Sequence, residues 1–380
     1  MTTIFPTQWR RRTLLAAAAS ALADPAWTQP GRSAAAGRPI TAAQIFDSSA
    51  GQQDVSKDFL IGSRAAWQDI NAKGGVRGRP VVHSSIEVNG APASLRAAMA
   101  AVRDNPACVA LSGTSGDPVA TEVARLLLQE NVAITHAAPW LQNSSVEVDD
   151  RTFPIFAARQ EQIAHVLRSL SVIGVQEVGA VYASEQEFRL YQEDLRRTAA
   201  EFKLRLQVFR SEGDLVRLGQ RLTAQTPSIL LFLGGTPELV QFTQGLEKQS
   251  RQRYVAALAD VNLQTLMQMG AARNTPVIAT QAVPMVNASL PIVRAYRDTL
   301  ARLFDEPPTP LSLAGFIAAR YTFEVLSDVD GALTRQSALA AFQRRSSLDV
   351  GGYRVAFDPR RRSGTFVTQS MLTTDGRVVG

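Results

Sequence analysis

PACVALSGTSGDPVATEVARLLLQENVAITHAAP, residues 106–139, decides how the rest of the chain is read. Residues 108–111 form a short apolar run of the kind that makes a strand buried on both faces. The loop Thr114-Ser115-Gly116-Asp117-Pro118 follows. Asp117 is a good N-cap and Pro118 a good first helical residue. Val119, Val123 and Leu126/Leu127 then recur at helical spacing. Residues 132–135 read as the next strand, and His136-Ala137-Ala138-Pro139 as its loop. In an open parallel sheet both loops emerge at the carboxyl edge, where such sheets bind ligands. Backbone N–H groups at a helix N-terminus, beside the hydroxyls of Thr114 and Ser115, suit a carboxylate or phosphate. An ordinary capped helix would have the same residues, and this segment alone does not separate the two.

The same alternation extends outward in both directions. Upstream, residues 40–46 read as a strand. A helix follows with Val55, Phe59, Ala66 and Ile70 on one face, closed by Lys73-Gly74-Gly75. A strand at 81–88 and a helix at 92–104 complete the first series. Downstream, helices at 161–172, 188–202, 214–224, 237–250 and 262–270 alternate with strands at 178–182, 205–209, 229–233, 254–258 and 277–280. Two long helices, 291–303 and 311–328, come next, then short strands at 353–357 and 366–373 and a turn at Asp375-Gly376. Two such series predict two doubly wound, mainly parallel sheets.

The N-terminus reads as a targeting segment. Arg10-Arg11-Arg12 precedes an apolar run from Leu14, ending Ala21-Leu22-Ala23. That is a charged region, a short hydrophobic region and an A-x-A cleavage site, too short to span a bilayer. Residues 1–23 are therefore expected to be a signal peptide, cleaved after Ala23, and 24–38 a flexible lead-in. Arg11-Arg12-Thr13-Leu14-Leu15 also resembles a twin-arginine signal. With 23 of 380 residues removed, the remainder suits two domains. A hydrophobic content of 45% argues against disorder. The net charge of +6 is spread along the chain, and its densest mature run, Arg360-Arg361-Arg362, lacks interleaved aromatics. Nucleic-acid binding is not indicated. Cys108, the single cysteine, permits no intramolecular disulfide.

Several motifs resemble those of the type I periplasmic solute-binding proteins that serve branched-chain amino-acid (Leu/Ile/Val) ABC transporters. They are Ile70-Asn71-Ala72-Lys73-Gly74-Gly75-Val76-Arg77-Gly78-Arg79-Pro80, Gly113-Thr114-Ser115 before a helix, the segments 132–139 and 231–235, Gly352 to Asp358, and Asp375-Gly376. The resemblance spans about residues 39–380. It implies two α/β lobes joined by three crossovers, lobe 1 from 39–153 plus 284–360 and lobe 2 from 154–283 plus 361–380, closing on ligand by a hinge. It implies that Thr114 and Ser115, with backbone at Ala137 and Ala138, hold an α-carboxylate. Asp260 would take the α-ammonium, with Phe188 and Thr236 at the pocket wall. Phe188-Arg189 stands where the family commonly has Tyr-Gly. Here Asp260 is also read as a turn residue capping the next helix. Together these imply an exported, periplasmic component of an ABC importer that traps a small polar ligand, an amino acid first of all. Another small carboxylate or amide, or a soluble sensor for a membrane receptor, is the alternative. A permease in the inner membrane would be the partner, the chain a monomer, and no cofactor or metal is implied.

An enzyme is the rival class. His83, His136 and His165 are isolated, and no H-E-x-x-H, C-x-x-C or phosphate-loop motif occurs. Ser115 does not sit in a G-x-S-x-G elbow, because Asp117 follows where glycine is needed.

Overall fold

A computed structural model of the chain describes residues 37–270, 274–344, 346–364, 366–374 and 377–380. The expected signal peptide, most of the lead-in and the Asp375-Gly376 turn lie outside the described residues.

The first series forms β1 (Ile40–Asp47), α1 (Gln53–Ala72), β2 (Val81–Val88), α2 (Pro92–Asp104), β3 (Cys108–Ser112), α3 (Asp117–Gln129), β4 (Thr135–Ala137) and β5 (Thr152–Phe153). The second forms α4 (Arg159–Val172), β6 (Glu177–Tyr182), α5 (Glu185–Glu201), β7 (Arg205–Arg210), α6 (Leu215–Gln220), β8 (Ile229–Leu233), α7 (Thr236–Leu246), β9 (Tyr254–Ala257), α8 (Leu263–Gln268) and β10 (Val277–Gln281). Then come α9 (Pro291–Leu303), α10 (Pro310–Ser327), α11 (Arg335–Arg344), β11 (Ser347–Val350), β12 (Tyr353–Ala356), β13 (Thr368–Leu372) and β14 (Val378–Val379).

The strands make two main sheets. One has the order β2-β1-β3-β4-β5, all parallel; the other has the order β14-β13-β10-β9-β8-β6-β7, parallel except at β13 and β14. Every residue of β3 is buried, as a strand covered on both faces requires. Leu95, Met99, Val123 and Leu127 of α2 and α3 pack on one face of the first sheet against Ile45 and Leu111. On its other face α1, α9, α10 and α11 share a core with Ile40, Val109 and Ala110. The second sheet is likewise sandwiched, with α4 and α5 on one face and α6, α7 and α8 on the other. The chain thus forms two doubly wound α/β lobes, as expected.

The three crossovers between the lobes are tied to one another. The Tyr353 hydroxyl donates to the carbonyls of Ile155 (2.7 Å) and Ala282 (3.4 Å). Ser363 N donates to Pro154 O at 3.1 Å, and Thr368 Oγ1 to Val283 O at 2.8 Å.

Local departures from the sequence reading have physical causes. β4 begins at Thr135 rather than 132, because Val132 N is still bound to Leu127 O in the turn that ends α3. α11 was not expected: it buries only Ala338, Leu339, Ala341 and Phe342, too weak a stripe to stand out. Asp117 is the first residue of α3 rather than its N-cap, which is Gly116. Its carboxylate accepts from Gln142 N (2.7 Å) and Asn143 N (2.8 Å) and so anchors the loop after β4.

Candidate functional site

The carboxyl edges of the two sheets face each other, and hydrogen bonds cross between them. On the first lobe, the loop after β3 is held to β1 by Ser115 N donating to Ile45 O (3.0 Å) and Asp47 N donating to Ser115 O (3.1 Å). Gly116 has φ +99°, and a Cβ there would lie 2.6 Å from the Asp47 Cβ. Only glycine lets the chain pass so close. Ser115 is fully buried, and its hydroxyl has no hydrogen-bond partner among the described residues.

The other expected residues of this wall are engaged internally. Thr114 Oγ1 is 2.9 Å from His136 Nε2, and Thr152 Oγ1 is 3.5 Å from His136 Nδ1. Burial pushes the His136 pKa down to about 3, with Asp149 opposing, so the ring is neutral. The two ring nitrogens of the histidine face threonines, and among the described residues no hydrogen bond links it to Ser115. The Ala137 carbonyl accepts from Gly113 N at 2.9 Å, and Ala138 N, at φ +48°, donates to Phe153 O at 3.0 Å.

On the second lobe, Thr236 is buried at the start of α7, and its hydroxyl accepts from Asn262 N at 2.9 Å. Phe188 stands edge-on to the Tyr182 ring, centroids 5.2 Å apart, with the Arg210 guanidinium 4.1 Å from its ring centre. Asp260 is 4% exposed. Its Oδ2 accepts from Arg159 Nε (2.9 Å) and Nη2 (2.5 Å), and its Oδ1 from Trp140 Nε1 of the first lobe (2.9 Å). Arg159 Nη1 also donates to Glu187 Oε2 (2.9 Å) and to the Tyr191 hydroxyl (3.0 Å). Burial acts against the charge on Arg159, and Asp260 and Glu187 more than offset it, so its pKa is raised. Burial pushes the Asp117 pKa up to about 6, opposed by Arg159 and assisted by Asp260.

The structure therefore gathers Ser115, Asp117 and Asp260 along one seam, and adds Trp140, which the sequence places directly after the Ala137 loop, with Arg159, Glu187 and Asn262, to which the sequence reading gave no role in the site. A signal for Arg159 existed: it is the first charged residue after the apolar crossover Phe153-Pro154-Ile155-Phe156-Ala157-Ala158. Its partner Asp260 lies 101 residues away, and no local pattern links them. A second bridge is formed by Asn262, the N-cap of α8. Its Nδ2 donates to Asp58 Oδ2 on α1 at 2.9 Å, and Thr309 Oγ1 donates to the same oxygen at 2.8 Å. Two cavities, of about 170 and 180 Å³, open beside Asn262, and neither is lined by Ser115, Thr236 or Asp260. Among the described residues no cluster of three or more His, Cys, Asp or Glu could hold a metal ion, and no helix is long and apolar enough to cross a membrane.

The periplasmic binding protein family matches residues 39–374, and the chain belongs to that family. Solved structures of the same fold include an extracellular ligand-binding receptor from Verminephrobacter eiseniae, 17% identical, with a TM-score of 0.81 over 90% of this chain and 100% of that one. A fatty acid ABC transporter substrate-binding protein from Thermomonospora curvata is 13% identical, with a TM-score of 0.76 over 89% and 90%. An ABC transporter substrate-binding protein from Desulfitobacterium hafniense in complex with Leu is 18% identical, with a TM-score of 0.71 over 90% and 99%. No curated protein matches the chain.

Proposed function

We propose that this protein is the exported solute-binding component of an ABC importer, closing its two lobes on a small polar ligand and presenting it to an inner-membrane permease. The ligand belongs among amino acids and related small carboxylates or amides. The observation that carries this reading is Ser115: a fully buried hydroxyl with no hydrogen-bond partner among the described residues, at the carboxyl edge of a sheet that faces a second such edge. Buried hydroxyls ordinarily find partners, and a ligand oxygen or amide would supply one. The lobe limits near 153 and 284 and the export route through the Arg11-Arg12 segment belong to the same proposal.

Thermal melts against a panel of amino acids, organic acids and amides test it. A ligand at 100 times its dissociation constant stabilises by about 2.7 kcal/mol. Ser115→Ala should weaken that ligand by about 1–3 kcal/mol without lowering the melting temperature of the free protein. A flat panel, or a shift that Ser115→Ala leaves untouched, would remove the ligand role of this wall.

A further inference from the structure

The loop between β9 and α8 is buried over five consecutive residues: Leu258, Ala259, Asp260, Val261 and Asn262 are all between 1% and 7% exposed. Connecting loops ordinarily run over the surface. This one is gripped from three directions. Gln162 Oε1 accepts from Ala259 N at 2.8 Å, Trp140 donates to Asp260, and Asn262 donates to Asp58.

Within this loop, the carboxylate of Asp260 already has a counter-charge and three hydrogen-bond donors. Two Arg159 nitrogens reach one oxygen, at 2.9 and 2.5 Å, and the Trp140 indole reaches the other at 2.9 Å. All three side chains are nearly inaccessible, with Asp260 at 4%, Trp140 at 1% and Arg159 at 7% exposure. A buried carboxylate needs a counter-charge and hydrogen-bond donors, and here the chain provides both. Arg159 is committed too: its remaining nitrogen is shared between Glu187 and the Tyr191 hydroxyl, and its guanidinium lies 5.0 Å from the Tyr191 ring centre. An incoming ammonium at Asp260 would have to displace a guanidinium that has no water to go to.

We infer that Arg159 supplies the cation for Asp260 from within the chain, that the pair serves to dock Trp140 across the cleft, and that the ligand is a small carboxylate or amide carrying no ammonium group at Asp260. The statement about the ligand rests on the solute-binding reading above; the statement about the pair does not. Arg159 and Asp260 are thus positioning residues, and discrimination among ligands falls to the groups left unpartnered, the Ser115 hydroxyl first.

Two measurements test this. In the ligand-free protein, Asp260→Asn should lower the melting temperature by about 3–8 °C, because it leaves the buried guanidinium short of a carboxylate. The double variant Arg159→Met with Asp260→Asn should recover at least half of that loss. A carboxylate kept for a ligand's amine would behave oppositely: its neutralisation would leave the free protein unchanged or more stable, and that result overturns the inference. Calorimetric titration with leucine, 2-hydroxy-4-methylpentanoate and 4-methylpentanoate provides the second arm. Amine-free probes binding at least as tightly as leucine support it. A preference for leucine of about tenfold or more that disappears in Asp260→Asn overturns it. If no probe binds, the solute-binding reading loses support while the melts still decide the pair.

Discussion

His136 is enclosed at the carboxyl end of β4, and its burial has a consequence at the level of a single proton. The unfolded imidazole titrates near 6.5, whereas burial holds the folded ring neutral down to about 3. Between those values the unfolded chain binds the extra proton, so stability falls as pH falls. At pH 4.5 this one group costs roughly 2–3 kcal/mol. His83, pushed down to about 4 by burial first and by Arg64, adds in the same direction. Asp117 has the opposite sign: its folded pKa, raised from 3.8 to about 6, favours the protonated form, so its contribution is present at low pH and is lost as pH rises through 6. Urea unfolding at pH 7 and 4.5 should therefore show a loss on acidification that His136→Gln reduces by roughly 2 kcal/mol and that Asp117→Asn makes steeper. An unchanged acid slope in His136→Gln would mean that the ring is protonated in the native state. The residue types were readable in advance and their states were not, because a pKa depends on which atoms exclude water around the group.

At the scale of elements, α1 and α10 pack backbone to backbone. A Cβ on Gly62 would fall 1.7 Å from Ser312 O, and one on Gly315 would fall 1.9 Å from Phe59 O. Ser63 Oγ donates to Gly315 O at 3.2 Å across the same contact. The helix that carries Asp58 and the helix that Thr309 caps are thereby held in register beneath the seam. Gly62→Ala has no room to relax without separating the helices. It should destabilise by about 3 kcal/mol or more, above the usual range for overpacking, although alanine improves helix propensity by about 1 kcal/mol. Chemical denaturation measures the balance, and a stabilised Gly62→Ala would show that the two helices stand further apart. The apolar face of α1 was legible from Val55, Phe59, Ala66 and Ile70. Its glycine was not: in a sequence, Gly62 looks like a weak point in a helix, and only the partner helix gives it a purpose.

At the scale of the whole molecule, hydrogen bonds bridge the two lobes, of which Asn262 to Asp58 is one; in the closing motion proposed above such bridges would hold the cleft shut. Asn262 also caps α8 by accepting from Gln264 N (3.0 Å) and Thr265 N (3.2 Å). Asn262→Asp separates the two roles, since aspartate caps as well as asparagine but sets a like charge against Asp58. Burial already raises the Asp58 pKa, ahead of the lowering effects of Thr309 and Asn262. The expected result is an unchanged α8 with a cleft shifted toward open by about 1 kcal/mol or more. In small-angle scattering the radius of gyration should rise at pH 7.5 and return toward the native value as the pH is lowered, because burial favours protonation of Asp58. A radius that ignores both the substitution and pH would show that this bridge does not govern closure.

The sequence by itself determined the local alternation: short apolar strands, helices started by proline and closed by glycine, and therefore two parallel α/β lobes with loops at their carboxyl edges. Those features follow from periodicity and from backbone limits that each residue carries wherever it sits. Ser115 could be singled out for the same reason, from its place between a strand and a helix N-terminus. Only the tertiary structure decided what each polar group faces. It placed Arg159 on Asp260 across 101 residues, gave the Thr114 hydroxyl to His136, and turned the Asp117 carboxylate away from capping toward the backbone of Gln142 and Asn143. Such pairings are set by distances of about 3 Å between elements remote in the chain. Side-chain chemistry names the possible partners, and packing alone selects among them.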